Sequence, residues 1–600
     1  MGVWHTLQSP ISSSNNTTTS NNATQTSPTK VNTSSAVREA LLISLPSVTD
    51  LGILLGNTKN NSRLCSESKS SALNESAKES ISTKSLLSPE LQPVLLARQM
   101  LLLATSLQHI SPLTVLPGLS KCHQDIVQGL AESAITLVNN NDALLGTLEG
   151  LDNMILEGYF HIDCGNLRRA WLTMRRAVTV AQLLGLHRSG VHLFKVIDQQ
   201  SNLDYEAMWS SIVTMERVLS LLLGLPTSVG AVHTVPIVAQ ATDGSSLLVI
   251  LGNWTARILD RNQMSSSQEA LELTRQIDED IIKVSQQMPS SFWQPPAFEG
   301  LETDSPAALR ESKRAFNHMC YYILVIQLHL PHMLCPSHAP QRTYSKIACV
   351  NASREILFRE ISLRSLNPVS ACCRISDFLA LIAGMTLILA HAVGHCGKDT
   401  MNVLAHQRLA DRGTVKRTLE CLQSMSELHQ DVLAVRCVDL LGDLLTIEED
   451  AARGSNHHTS QQSQVGVTNY SGRKVLIIRV PYLGAIQISH NGISNVGHLG
   501  SKQVSSFGEG VTIGGIGSLH VKSPVTPEDD TSEKRAALTA EVQADNMVSI
   551  WAPSASYIHN DEILPDAAAG LDDWVFQGLD TAFFDSLMHE GTDSVPYGIT

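Results

Sequence analysis

The sequence lacks cysteines at the spacing that small metal sites use. Its 11 cysteines run from Cys65 to Cys437, and no two of them form a Cys-x-x-Cys pair. Such pairs mark most zinc fingers and thiol redox centres, so the sequence indicates neither kind of site. Only Cys65 precedes Cys122, and one thiol cannot hold two zinc ions. The odd count favours reduced thiols, as in proteins kept inside the cell.

Aromatic residues are also scarce. They make up 4% of the chain, whereas hydrophobic residues make up 43%, so the core must consist mainly of Leu, Ile, Val, Ala and Met. The longest apolar run, 378–393, is too short to cross a bilayer and follows Arg374 and Asp377. It predicts a buried helix. The first residues lack the basic and apolar regions of a signal peptide, so no membrane partner is expected.

Basic residues are missing from the last part of the chain. Residues 536–600 contain eleven Asp or Glu and no Lys or Arg, so they carry −11 of the net charge of −14. Acidic residues interleaved with large apolar ones are typical of activation segments. Mutually repelling carboxylates keep the aromatic side chains available for a groove on a co-activator or on the general transcription machinery. The candidate contact residues are Trp574, Phe576, Leu579, Phe583, Phe584 and Leu587. A second interpretation stays open, in which 574–588 packs onto the preceding domain as a closing helix.

Composition divides the chain into four parts. The first is rich in Ser, Thr and Asn and predicts disorder, interrupted by an apolar stretch that favours a transient helix. The second repeats helical apolar spacing and predicts a large all-α domain. The third is a low-complexity linker containing two short β-branched runs. In order, these parts are 1–85, 86–450, 451–535 with strands in 475–488, and the acidic tail 536–600.

Two segments of the second part carry the most specific patterns. In 165–188, Trp171, Met174, Val178, Ala181 and Leu184 share one helical face, which predicts that Trp171 is buried. Gly185 followed by an apolar residue is typical of a helix C-terminus. The four arginines Arg168, Arg169, Arg175 and Arg176 lie largely outside that face. They could contact phosphates, but on a nearly neutral domain a solvated face or ion pairing is favoured.

The second segment, 208–226, has the same helical spacing and ends at Gly224 and Pro226. The adjacent charges Glu216 and Arg217 interrupt its apolar sequence. Neighbouring residues on a helix point in different directions, so each needs its own partner. If both are buried, those partners tie the helix to its neighbours.

Together these segments resemble the middle homology region of fungal transcription factors of the zinc-cluster family. The resemblance rests on Gly165, Arg168, Ala170, Trp171, Leu186, His187, Arg188, Trp209, Glu216, Arg217, Gly224 and Pro226. Similar segments follow in the same order at 327–334, 352–357, 373–378, 480–484 and 574–585. The resemblance implies an all-helical regulatory domain, location in the nucleus and control of RNA polymerase II promoters.

The chain departs from the family pattern in two places. Leu225 stands where the family usually has an arginine. The family's DNA-binding element is an N-terminal cluster of six cysteines that binds two zinc ions, and this sequence does not contain it. No cofactor is therefore expected in this chain, and promoter DNA is expected to be reached through a partner or through a missing N-terminal segment. Homo- or heterodimers are both compatible with the resemblance.

The resulting hypothesis is a nuclear transcription activator, with a metabolic or secondary-metabolite gene cluster as a plausible target. One alternative is a modulator or decoy that occupies a full-length relative without binding DNA. A helical enzyme is disfavoured, because no nucleophile–base pair, paired carboxylates or phosphate loop occurs at usable spacing. His391, His395 and Cys396 could hold a metal ion, although core histidines are the favoured interpretation. The glycine run 508–517 has the wrong spacing for a dinucleotide loop and indicates a linker.

Overall fold

A computed structural model shows a helical domain closed by a small β-sheet. The structure describes residues 28–58, 86–88, 90–108, 110, 114–188, 194–199, 203–230, 244–264, 266–302, 305–334, 340–366, 374–396, 402–429, 432–457, 476–480, 484–489 and 492–495. The acidic tail 536–600 and the glycine run 508–517 lie outside these residues. The predictions made for them therefore rest on the sequence.

The helices follow one another along the chain, as expected for an all-α domain. A π-helical turn, Ile135–Asn139, extends the helix His123–Ala134, and a 3₁₀ turn, Ala405–Gln407, precedes the helix Arg408–His429. The α-helices are α1 Pro28–Ser44, α2 Val48–Thr58, α3 Pro93–Leu107, α4 His123–Ala134, α5 Leu148–Asp163, α6 Leu167–Leu184, α7 Tyr205–Leu223, α8 Gly244–Asn262, α9 Ser267–Gln287, α10 Pro306–Leu334, α11 Pro340–Leu366, α12 Arg374–Cys396, α13 Arg408–His429 and α14 Val432–His457.

The prediction of disorder for 1–85 is wrong for residues 28–58. Helices α1 and α2 bury Leu41, Leu51 and Leu54 completely against α3 and α4. Arg38 fixes α1 to the next segment by donating to the carbonyl oxygens of Ser88 and Leu91, at 3.0 and 3.1 Å. A few leucines at helical spacing thus suffice to attach this Ser/Thr-rich stretch to the domain, because a neighbouring apolar face receives them.

The predicted buried helix is confirmed. Helix α12 lies at the centre of the largest apolar cluster and packs against α10, α11, α13 and α14. Its segment 375–394 is long and apolar enough to cross a membrane, yet 78% of it is buried inside the fold. The apolar composition is therefore accounted for by contact with surrounding helices.

The two predicted β-runs form the first strands of an antiparallel three-stranded sheet. The strands are β1 Leu476–Val480, β2 Gly484–Ser489 and β3 Gly492–Asn495, in the order β1-β2-β3. The sequence did not predict β3. Ile488 is buried in the central cluster, and the sheet packs on α12 and α14. These strands therefore belong to the domain, which extends past the predicted boundary at 450.

Pro331 interrupts the backbone hydrogen bonds of α10, and Arg261 on α8 supplies the missing donor. Proline has no backbone N–H, so the carbonyl four residues earlier loses its helical partner. The Arg261 guanidinium donates to the carbonyl oxygens of Gln327 at 3.1 Å and Leu328 at 3.0 Å. Burial lowers the pKa of Arg261 to about 10. This contact joins α8 to the family segment 327–334.

A side chain at Gly158 would displace the end of Met174 in the contact between α5 and α6. A Cβ atom there would lie 2.3 Å from Cε of Met174, which is fully buried. We expect Gly158→Ala to lower the free energy of unfolding by about 1–3 kcal/mol through overpacking. Gly129→Ala is the matched control, because nothing lies within 4 Å of a Cβ in α4. The control should stabilise by up to about 1 kcal/mol, since alanine favours helix more than glycine does. Urea denaturation of both variants checks the difference in sign.

Candidate functional site

The family motif forms the contact between α6 and α7. Helix α6 buries Ala170, Met174, Val178 and Ala181, which confirms most of the predicted face. Trp171 was predicted to be buried within that face, and this is wrong: it lies at the edge and is half-buried. Leu184 lies at the same edge.

Polar contacts of the indole ring hold Trp171 in its half-buried position. Its indole Nε1–H donates to the Ser220 hydroxyl of α7 at 2.8 Å. The Arg175 guanidinium lies over the indole ring, 4.9 Å from the centroid, and covers its outer side. Trp171 therefore joins the two helices at their rim.

Both helices end at glycines, as predicted. Gly185 has φ of +91° and Gly224 has φ of +69°, the left-handed region that glycine adopts without strain. The backbone N–H of Leu186 donates back to Ala181 at 3.0 Å, and that of Leu225 to Ser220 at 2.9 Å. Leu186 is buried, which completes the predicted C-terminal motif of α6.

Glu216 is fully buried and holds the segment after α7. Its carboxylate accepts from the Thr227 hydroxyl at 2.6 Å, the Ser228 backbone N–H at 2.9 Å and Arg175 Nη1 at 3.2 Å. Arg175 also donates to the Pro226 carbonyl oxygen at 2.7 Å. A buried carboxylate with several donors is the arrangement that offsets the cost of desolvating its charge.

Arg217 has partners of its own, as the pairing argument predicted. Its guanidinium donates to the carbonyl oxygens of Val229, Gly230 and Gly252, at 3.3, 2.5 and 3.4 Å. Gly252 lies on α8, so Arg217 ties α7 to that helix as well as to the loop. The adjacent charges thus hold successive parts of the segment after α7, and Arg217 also holds α8.

The remaining motif residues surround this contact. Gly165, with φ of +80°, forms the bend between α5 and α6. The His187 ring contacts Trp209, with centroids 6.3 Å apart. Arg176 pairs with Asp142 at 2.7 Å, while Arg168 is half-buried and Arg188 and Pro226 are exposed. Arg175 and Arg176 therefore both form ion pairs, which agrees with the favoured interpretation of that group.

Sequence reasoning missed a buried polar stripe on α5. Glu149, Asn153, Glu157 and His161 recur every fourth residue, and all four are buried. Glu157 accepts from Asn139 Nδ2 at 2.8 Å and from the Thr173 hydroxyl at 2.9 Å. Burial raises the pKa of Glu157. The four-residue spacing is visible in the sequence, but it is equally typical of a solvent-facing stripe.

Buried histidines make stability depend on pH. Burial lowers the pKa of His161 and of His318 to about 3, and that of His332 to about 4. These groups are neutral in the folded state and take up protons near pH 6.5 in the unfolded state. Their contribution is therefore present above pH 6.5 and is lost as pH falls, by about 1.4 kcal/mol per pH unit for each histidine.

We expect the urea midpoint to decrease as the pH is lowered from 6.5 to 5. His161→Leu should make this decrease shallower, because one of the three buried histidines no longer contributes. Urea denaturation at several pH values measures both slopes. A midpoint independent of pH over this window would contradict the prediction.

The fold also assembles a Ser–His–Asp chain that the sequence did not reveal. His329 Nδ1 lies 3.2 Å from Ser345 Oγ, and its Nε2 lies 3.2 Å from Asp278 Oδ1. The Asp278 carboxylate accepts from Tyr344 at 2.6 Å. Ser345 is fully buried near the start of α11, so a substrate cannot reach its hydroxyl. The chain joins α9, α10 and α11 and has no catalytic geometry.

His391 has a hydrogen-bonding partner. Its Nε2 lies 2.7 Å from Asp411 Oδ2, and Asp411 also accepts from Arg354 Nε at 2.7 Å. Within the described ranges, no three His, Cys, Asp or Glu side chains lie close enough to hold a metal ion. The adjoining cavity has room for about one water molecule. It is lined by Leu387, Ile388, His391, Asp411, Arg412, Val415 and Glu448.

Comparisons with known proteins agree on one kind of function. The chain is 47% identical over 578 residues to a probable transcription factor, gsfR1, of Penicillium aethiopicum. The aligned region covers 92% of this chain and 82% of that protein. It is 33% identical over 534 residues to a dehydrocurvularin biosynthesis regulator of Aspergillus terreus, covering 83% of this chain and 73% of that protein. A regulator of the same name from Alternaria cinerariae is 32% identical over 566 residues, covering 84% and 74%. No family profile and no solved structure matches the chain.

Proposed function

The chain belongs to a family of fungal transcription regulators, and from that premise we propose that it activates a biosynthetic gene cluster from the nucleus of a fungus. The observation that carries this proposal is the 47% identity, extending over 92% of the chain, to a probable transcription factor. Two further relatives are named as regulators of one biosynthetic product. None of these three names describes an enzyme.

The arrangement of the domain supports a scaffold rather than a reaction centre. Its buried charges, Glu216, Arg217 and Arg261, hold helix ends and loops in place instead of facing a cavity. Within the described part of the chain, the conspicuous hydrogen-bond chain at Ser345 is closed to substrate. A rigid helical domain suits a regulator that presents surfaces to other proteins.

The acidic tail supplies the contact with the transcription machinery in this proposal. Residues 536–600 carry large apolar side chains among eleven carboxylates. Such a segment can fold when it docks into a co-activator groove. Fused to an unrelated DNA-binding domain, residues 536–600 should activate a reporter in a fungal host. Reporter output equal to that of the DNA-binding domain alone would contradict the proposal.

Promoter DNA is reached, in this proposal, through a partner or an N-terminal segment carrying the family's six-cysteine zinc cluster. The purified chain should then show no sequence-specific duplex binding at physiological salt. Selection of duplexes by gel shift tests this, and recovery of a defined motif would contradict it. The alternative function is a decoy that dimerises with a full-length relative. A decoy would lower that relative's reporter output when the two are expressed together.

A further inference from the structure

The outer face of α6 exposes two leucines in line. Leu172 is 58% exposed and Leu183 is 83% exposed. They are eleven residues apart, which is about three helical turns and within roughly 20° of the same direction. Large exposed apolar side chains that line up on one helix are the usual anchors for a partner helix.

This face is also positively charged. Helix α6 contains four arginines and no acidic residue. Arg168 and Arg176 lie one turn before and one turn after Leu172, on the same side. The partner of Arg176, Asp142, is itself 89% exposed. Such a surface ion pair contributes little, so Arg176 can exchange Asp142 for another carboxylate at small cost.

The acidic tail repeats this pattern with opposite charge. Phe576 and Leu587 are also eleven residues apart, and Asp572 and Asp580 lie one turn on either side of Phe576. With a constant offset of 404 residue numbers, three arginines of α6 meet aspartates of the tail, and both exposed leucines meet large apolar residues. The matches are Arg168 with Asp572, Arg169 with Asp573, Leu172 with Phe576, Arg176 with Asp580, Thr179 with Phe583 and Leu183 with Leu587.

We propose that residues 572–587 of the same chain dock as a helix, parallel to α6, on the face formed by Arg168, Leu172, Arg176, Thr179 and Leu183. The parallel direction follows from the constant offset, because residues at equal heights face each other in a parallel helix pair. In the antiparallel direction Arg176 would face Phe583, and the charge match would be lost. The 76 residues between Asn495 and Asp572 have a contour length far above the dimensions of the domain.

Docking would cover the aromatic side chains that a co-activator needs. The docked tail is inactive and the released tail activates; this consequence rests on the proposed function. The docking itself does not depend on that function. A contact measurement can therefore fail or succeed independently of a reporter assay.

Amide hydrogen exchange of the full chain tests the contact. Residues 574–588 should exchange slowly in the unmodified chain and about tenfold faster in Leu172→Glu/Leu183→Glu, because the exposed amides of an undocked segment are unprotected. The control is Ile43→Glu/Val115→Glu, which alters side chains that are 80% and 85% exposed elsewhere. It should leave the exchange of 574–588 unchanged. Exchange within α7 reports whether each variant keeps its fold.

A charge exchange tests the register. Arg176→Glu and Asp580→Arg should each speed exchange of 574–588, and the double variant should restore protection. Gly578→Ala should slow exchange further, since glycine disfavours helix. Unprotected amides over 574–588 in the unmodified chain would overturn the proposal, as would equal protection in Leu172→Glu/Leu183→Glu or failure of the double variant to recover. Protection that rises with protein concentration would assign the contact to a second copy and overturn docking within one chain.

Discussion

Glu216→Ala is expected to lower the free energy of unfolding by about 3–5 kcal/mol, the cost of leaving the partners of a buried charge unpaired. The Glu216 carboxylate is fully buried and accepts from Arg175, Thr227 and Ser228. Its loss leaves the Thr227 hydroxyl and the Ser228 backbone N–H without this acceptor and frees the loop after α7. Urea denaturation followed by circular dichroism measures the change.

The matched control is Glu206→Ala in the first turn of the same helix. Glu206 is exposed, so its replacement should change stability by no more than about 1 kcal/mol. Equal small losses in both variants would show that the Glu216 contacts do not hold the α6–α7 junction. In that case the family motif would need a different physical explanation.

Replacing Phe583, Phe584 and Leu587 together by Ala should abolish activation by residues 536–600 fused to a DNA-binding domain. Each large apolar side chain buried in a partner groove contributes roughly 1.5–3 kcal/mol before the cost of ordering. The binding free energy lost with three such side chains exceeds the total binding free energy of a weak contact between a segment and a groove. Reporter output, normalised to the amount of fusion protein, measures the effect.

The charge-only variant provides the comparison. Asp580→Asn with Asp585→Asn should weaken activation less, because these carboxylates mainly keep the segment soluble and speed encounter with the partner. Unchanged output from the triple-alanine fusion would show that these side chains do not activate. The alternative of a closing helix at 574–588 would then be favoured.

Periodicity predicted much of this fold from the sequence. The apolar spacing of α6 and α7 and their terminal glycines located both helices, since a helix buries one stripe and ends where glycine permits a left-handed residue. Helices α1 and α2 were predicted only as a transient helix in a disordered segment, because the residues around them are rich in Ser, Thr and Asn. Their few leucines become meaningful only when α3 and α4 provide a surface to receive them. Trp171 was misplaced for a related reason, as its hydrogen bond to Ser220 depends on α7.

The charged residues located the candidate site in the sequence, but the sequence could not predict which groups form hydrogen bonds with them. Adjacent opposite charges at Glu216 and Arg217 predicted two separate partners, and both exist. Most of those partners are backbone groups of residues 228–230 and 252, and a backbone group is the same whatever the residue type. The Ser345–His329–Asp278 chain spans three helices, so no local spacing could reveal it.

Transcript levels in the source fungus test the central claim most directly. Under conditions in which a biosynthetic product forms, RNA from a strain carrying the intact gene is compared with RNA from a strain lacking it. Transcripts of a contiguous set of biosynthetic genes should fall together in the deletion strain and recover when the full-length gene is restored. Unchanged transcripts of every clustered biosynthetic gene, with the protein present in the intact strain, would contradict the assignment.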